Sequence, residues 1–275
     1  MQTVICLGPK ACDIGELFEK DSDFQVKLID KEIEGDNCFG LVKQKTPEDY
    51  EKSIPDMSGF FKDVHEEILF ITTGECDVLS CSLKILQQIK DKNITIIYLR
   101  PNADFLGRQG TLQDKMAFNI FQEYTRSGLF KKLFIINEEN IEQHLLNEMP
   151  ITEIYEAYLK MIHNFVLNLN FTESEPLINH FSPPKDISRI CTFAFYDLHT
   201  NSEVSMYKFN SVDDKVYHFF LTEDTLKTNT KIMREIKDKL KNKVLDGMKV
   251  SYTIYNTSGD TDYCFVVYYS KAIQP

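Results

Sequence analysis

Apolar positions change their spacing along this 275-residue chain, and each change marks a different kind of element. In the first half, short uninterrupted apolar runs alternate with stretches of helical periodicity, the pattern of a parallel sheet flanked by helices. Residues 3–7, 24–29, 68–72 and 94–99 predict four strands, and 133–136 is a fifth candidate. Their β-branched runs lack polar alternation, which predicts burial on both faces. Leu79, Leu83, Leu86 and Ile89 recur at helical spacing, with Ser80 or Ser82 as the starting signal, and Met116, Phe118, Ile120, Phe121 and Tyr124 mark another helix ahead of Gly128. Both stretches predict crossover helices.

After Pro150 the pattern becomes one wide stripe: Ile154, Tyr155, Tyr158, Leu159, Ile162, Phe165, Val166 and Leu169 recur at i, i+3, i+4, i+7. This predicts a single long buried helix. Residues 173–185, with Pro176, Pro183 and Pro184, break regular structure, and strands are expected at 190–196 and 204–209. A helix over about 229–245 would turn Ile232, Met233, Ile236, Leu240 and Val244 inward and close on Gly247. Strands at 250–255 and 263–269 flank Asn256-Thr257-Ser258-Gly259-Asp260, which reads as a hairpin-type loop. The expected class is α/β. A Rossmann-like parallel-sheet domain would span 1–149, a central helix 150–172, and a smaller α+β domain 173–275.

Composition narrows the function classes. A 43% hydrophobic, 27% charged chain is globular in character, and a net charge of −11 opposes binding to nucleic-acid phosphates or to an anionic membrane surface. Seven cysteines, an odd number without CxxC spacing, argue against a disulfide framework or a zinc ribbon and for a reducing compartment. No uncharged apolar stretch approaches the roughly 18 residues that span a bilayer, and residues 1–25 hold no secretory signal pattern. A cytoplasmic protein without nucleic-acid partner or membrane insertion is therefore expected. The six histidines show no metal-ligand spacing, no GxSxG elbow exists, and no Cys/His pair stands out. No catalytic residue, metal or cofactor is assigned.

An α/β half, one long central helix and a smaller sheet-plus-helix half, in that order, is similar to the architecture of the tubulin/FtsZ family, and several local motifs over most of the chain add to the resemblance. Val4-Ile5-Cys6-Leu7-Gly8-Pro9-Lys10-Ala11-Cys12-Asp13 stands where that family has a glycine-rich phosphate loop of the form VIGVGGAGCN; Gly8 and Cys12 match, and three loop glycines do not. Leu69-Phe70-Ile71-Thr72-Thr73-Gly74 is similar to the strand leading into the GGGTGSG signature, but Glu75-Cys76-Asp77-Val78 replaces the signature itself. Arg100-Pro101 and Phe105-Leu106-Gly107-Arg108 resemble the strand end and Phe-x-Gly-Arg element that follow, and 133–137 resembles the strand ending in proline-asparagine. Pro176-Leu177-Ile178-Asn179 resembles the GLIN segment opening the loop that carries catalytic acids in FtsZ filaments; His180-Phe181-Ser182-Pro183-Pro184 follows here, without them.

The resemblance implies a vestigial nucleotide site at Gly8, Lys10, Cys12 and Gly74. Phosphate cradles need glycines for close backbone approach, and Glu75 and Asp77 put negative charge where phosphates would sit. The expectation is thus a protein that is not an enzyme and has lost GTP hydrolysis, acting through subunit packing or a tubulin/FtsZ-like partner. The alternative is a GTP-binding cytoskeletal GTPase with rebuilt phosphate loops, and a third reading is an unrelated Rossmann-like ligand sensor. Gly8-Pro9-Lys10-Ala11 reads as an anion-attracting helix start or as a plain turn with a solvated lysine. Eight basic residues from Lys227 to Lys249 cluster around the C-terminal helix, either as a solvated face or as a docking surface for an acidic partner. Asn179, Lys231, Arg234, Lys237 and Lys241 are the interaction candidates.

Overall fold

Each apolar run of the first half becomes a strand slightly longer than its hydrophobic stretch. In the computed structural model, β1 (Gln2–Leu7) and β2 (Phe24–Lys31) precede a short β3 (Cys38–Leu41), followed by β4 (Glu67–Thr73), β5 (Asn93–Arg100) and β6 (Lys132–Asn137). All residues are described except Asn147, Glu148 and Asp246. The six strands are parallel, in the order β3-β2-β1-β4-β5-β6. Val4–Leu7 of β1 and Ile68–Ile71 of β4 are almost wholly buried, as strands covered on both faces should be. Because the order runs outward in both directions from β1 and β4, the sheet is doubly wound. Its switch point lies at the carboxyl ends of those two strands.

The helices are α1 (Pro9–Phe18), α2 (Pro47–Lys52), α3 (Ser82–Gln88), α4 (Arg108–Ser127), α5 (Glu138–Leu146) and α6 (Ile154–Phe171). α1 starts on Pro9, whose missing N–H is harmless at a first helical position. α4 ends on Gly128 in the left-handed region. β3, α2 and α5 were not foreseen, because 38–41 and 47–52 are too short to show a period and 138–146 is dominated by polar residues. Thr46, whose side chain accepts from Asp49 N–H at 3.2 Å, and Pro47 are the local signals that start α2.

The chain divides into two compact units, Met1–Phe165 and Val166–Pro275, the division falling within α6. The second unit contains β7 (Ile178–His180), β8 (Ile190–Tyr196), β9 (Glu203–Ser205), β10 (Asp214–Thr222), α7 (Glu223–Thr228), α8 (Ile232–Lys241), β11 (Lys249–Thr257) and β12 (Tyr263–Ser270). Its strands run β8-β12-β10-β11-β7, with β9 on β8; β10 and β11 are parallel and the other pairs antiparallel. Tyr217, Phe219 and Leu221 form one core with Ile236 and Leu240 of α8. On alternate positions Phe220 stacks with Tyr255 and Tyr263 and meets Phe171 at the end of α6.

Five local expectations are corrected. Residues 256–260 do not close a hairpin, because β10 lies between β11 and β12. β10 and β11, being parallel, need a crossover, and α7 with α8 supplies it. α8 stops at Lys241 with Asn242 as its cap, so Gly247, although at φ +79°, is no helix cap, and Val244 is exposed rather than inward. The proline-rich stretch holds a three-residue strand, β7, on the edge of β11, and the strand expected at 204–209 shortens to β9.

Candidate functional site

In a doubly wound sheet, ligands bind in the crevice beyond the carboxyl ends of the strands at the switch point. The loops after β1 and β4 meet there. Gly8, at the end of β1, has φ +95° and caps α1 without a side-chain hydrogen bond. A Cβ at Gly8 would lie 2.8 Å from Cys76 Sγ, so the loop after β4 packs directly over the loop after β1. Only glycine fits both the conformation and the space.

Lys10 occupies the crevice. Its Nζ lies 2.6 Å from Glu75 Oε1 and 2.9 Å from Glu138 Oε2, and 5.6 Å from the centroid of the Tyr158 ring. Glu138 follows β6 directly; its side chain is 5% exposed and accepts a hydrogen bond from Tyr158 Oη–H at 3.0 Å. Burial pulls the Lys10 pKa down, and the charges and hydrogen bonds of Glu138 and Glu75 outweigh it, leaving it above the ordinary lysine value. Burial pushes the Glu138 carboxyl up, against the opposing pull of Lys10 and Tyr158. One turn further along α1, Asp13 accepts from Tyr155 Oη–H.

Glu75 and Asp77 are therefore not bare charges facing the crevice. Glu75 is bound to Lys10, and Asp77 pairs with Lys31 at 3.0 Å. The solvated-lysine reading of Lys10 is likewise corrected, since its ammonium is held by two carboxylates. Cys12 lies beneath the loop with its thiol near the carbonyls of Cys6 and Ile29, and burial pushes it up to about 12. Gly74 serves packing: a Cβ there would fall 2.3 Å from Asp114 Oδ1 and 2.7 Å from Tyr98 Oη. Asp114 is buried, accepting from Tyr98 Oη–H at 2.8 Å and from Arg100 at 3.2 Å. Sequence reasoning missed Glu138 and Tyr158. The available signal was a carboxylate directly after a buried strand, at the end where such sheets bind ligands.

The interaction candidates lie in the second unit. Lys231, the cap residue of α8, and Arg234, Lys237 and Lys241 within it are all exposed, away from the buried Ile236 and Leu240. Not every basic residue of this region faces outward, however. Lys239 and Lys243 donate to the carbonyls of Leu198 and Asn201, and Lys249 to those of Ser182 and Pro183. Asn179 is exposed on β7, its side chain accepting from Phe181 N–H at 2.8 Å. Among the described residues no group of three or more histidine, cysteine or acidic side chains is placed to hold a metal ion, and no helix is long and apolar enough to cross a membrane.

No protein-family profile and no curated protein matches the sequence. Solved structures do match in fold. A GTPγS-form protofilament of TubZ from Bacillus thuringiensis serovar israelensis aligns with a TM-score of 0.67 at 11% identity, over 98% of this chain and 86% of that one. A helical two-stranded TubZ-Bt filament aligns at 0.71 and 11% identity, over 98% and 84%. An empty FtsZ dimer from M. jannaschii aligns at 0.63 and 10% identity, over 98% and 88%. These neighbours correct one expectation. A protein that is not an enzyme conflicts with a fold whose neighbours include a GTPγS-form filament, and altered phosphate loops do not suffice for that assignment. The chain shares the fold of these TubZ and FtsZ structures, with about one residue in nine identical.

Proposed function

We propose that this chain is a subunit of a cytoskeletal-type assembly, associating with copies of itself or with another protein of the same fold. One observation carries the reading: structures that share the fold over 98% of the chain are themselves filaments and a dimer. Charge supports a head-to-tail contact. Residues 1–165 hold 18 Lys and Arg against 28 Asp and Glu, whereas 166–275 hold 13 against 14 and display Lys231, Arg234, Lys237 and Lys241 along α8. An acidic part and a basic face on one chain favour heterologous contacts between copies. Asn179 joins the proposed contact residues on the resemblance of its segment. The test is light scattering and negative-stain electron microscopy across a concentration series, with and without GTP and magnesium. Filaments or a defined oligomer are expected; a strict monomer at every concentration overturns the reading.

A second reading is favoured by Lys10 standing at the switch point, together with the GTPγS form of a neighbour. In it the crevice of the first unit takes a guanine nucleotide with its phosphates toward Lys10, through loops rebuilt around Gly8 and Gly74. Titration with a fluorescent GTP analogue and magnesium tests it. Saturable binding lost in Lys10→Ala supports the reading, and no binding removes it without touching assembly.

A further inference from the structure

We propose that Glu75 is an internal competitor for the crevice: its carboxylate occupies the place on Lys10 that an incoming phosphate would take, so that ligand binding requires Glu75 to be displaced. The inference rests on the second reading above and adds the residue that sets affinity and the order of events.

The two carboxylates on Lys10 are unlike. Glu138 is almost wholly buried, is anchored by Tyr158, and follows β6 without an intervening loop, so it is a fixed partner. Glu75 has 39% of its side chain exposed and sits in the loop between β4 and the turn at Asp77–Cys81. It is the partner free to leave. Lys10 is 20% exposed and carries one positive charge against these two negative ones. Asp13, one turn along α1, and the hydroxyls of Tyr155 and Tyr158 on α6 supply no further cation. A phosphate approaching the closed arrangement meets a net negative cluster. With Glu75 swung toward solvent, Lys10 and Glu138, joined through both carboxylate oxygens, form a neutral pair, and the ammonium proton that faced Glu75 is free for the ligand.

The neighbouring residues fit this division of roles. Gly8 and Cys76 hold the two loops in contact, so Glu75 reaches Lys10 without any change in the sheet. Glu138 is then a positioning residue, keeping Lys10 in the crevice whether or not Glu75 is bound.

The experiment compares wild type, Glu75→Gln and the double variant Glu75→Gln/Lys10→Ala by titration with a fluorescent GTP analogue and magnesium, and with inorganic triphosphate as competitor. Thermal unfolding is followed on each to establish that it is folded; Glu75 is exposed enough for the Gln variant to retain the fold. Removing one short-range charge predicts affinity about 10-fold tighter in Glu75→Gln, lost again in the double variant. Equal affinities in wild type and Glu75→Gln overturn the competitor role and leave the nucleotide reading standing. Tighter binding that persists without Lys10 also overturns it. No binding by any of the three overturns both the proposal and that reading.

Discussion

A methyl group added at Gly8 would lie 2.8 Å from Cys76 Sγ on a backbone at φ +95°, so strain and crowding act together there. Gly8→Ala is expected to cost about 2 kcal/mol, read as a lower Tm in thermal unfolding. A carboxylate with four partners lies in the second unit. Glu203 accepts from Lys215 at 2.7 Å and from Tyr217 Oη–H at 2.7 Å, also bonds Tyr268, and pairs with Lys243 at 3.0 Å. Burial raises its pKa, but these donors outweigh burial and hold it at about 2. A folded-state pKa below the unfolded value of about 4.3 contributes stability that is complete above that value and is lost as pH falls toward 2. Glu203→Ala should cost about 2 kcal/mol at neutral pH, because it leaves the half-buried Lys215 ammonium and the Tyr217 and Tyr268 hydroxyls without their acceptor, and Glu203→Gln should flatten stability between pH 5 and pH 2 by removing the titrating carboxylate. Urea unfolding across pH measures both. Glu203 stood out in no sequence pattern, since its partners come from β10, β12 and the segment after α8.

At the scale of elements, α8 separates what periodicity reveals from what it does not. Its inner face was legible: Ile236 and Leu240 are 3% and 4% exposed within the core of the second unit. Its end was not, because Val244 continues the apolar spacing beyond the residue where the helix stops and is 57% exposed. Ile236→Ala is therefore expected to cost about 3 kcal/mol in chemical denaturation and Val244→Ala less than about 0.5 kcal/mol. If the helix ran to 245 with Val244 inward, the two losses would be similar. The 256–260 loop teaches the same lesson for strands. A polar, glycine-containing stretch between two apolar runs looks like a hairpin, but β10 had already taken the neighbouring position on both strands.

At the scale of the whole molecule, the proposed contact between an acidic first unit and the basic face of α8 makes assembly depend on salt. Raising ionic strength from about 0.05 M to about 0.5 M shortens the range of such attraction severalfold and should weaken assembly in sedimentation. Reversing Lys231, Arg234, Lys237 and Lys241 to Glu should weaken it at low salt with little change in Tm, since all four are exposed. Assembly indifferent to both changes would locate the contacts elsewhere. By itself the sequence determined the five long parallel strands, the crossover helices α3 and α4 and the long helix α6, because uninterrupted burial and helical periodicity are local properties that neighbouring residues share. Its motifs also pointed to the tubulin/FtsZ fold and to Gly8 and Lys10. Only the tertiary structure decided that Glu75 and Glu138 close on Lys10 across 65 and 128 residues of chain, that Asp77 is neutralised by Lys31, and that β10 separates β11 from β12. Charge pairing and strand order depend on which distant segments the sheet brings side by side, and no local spacing encodes that.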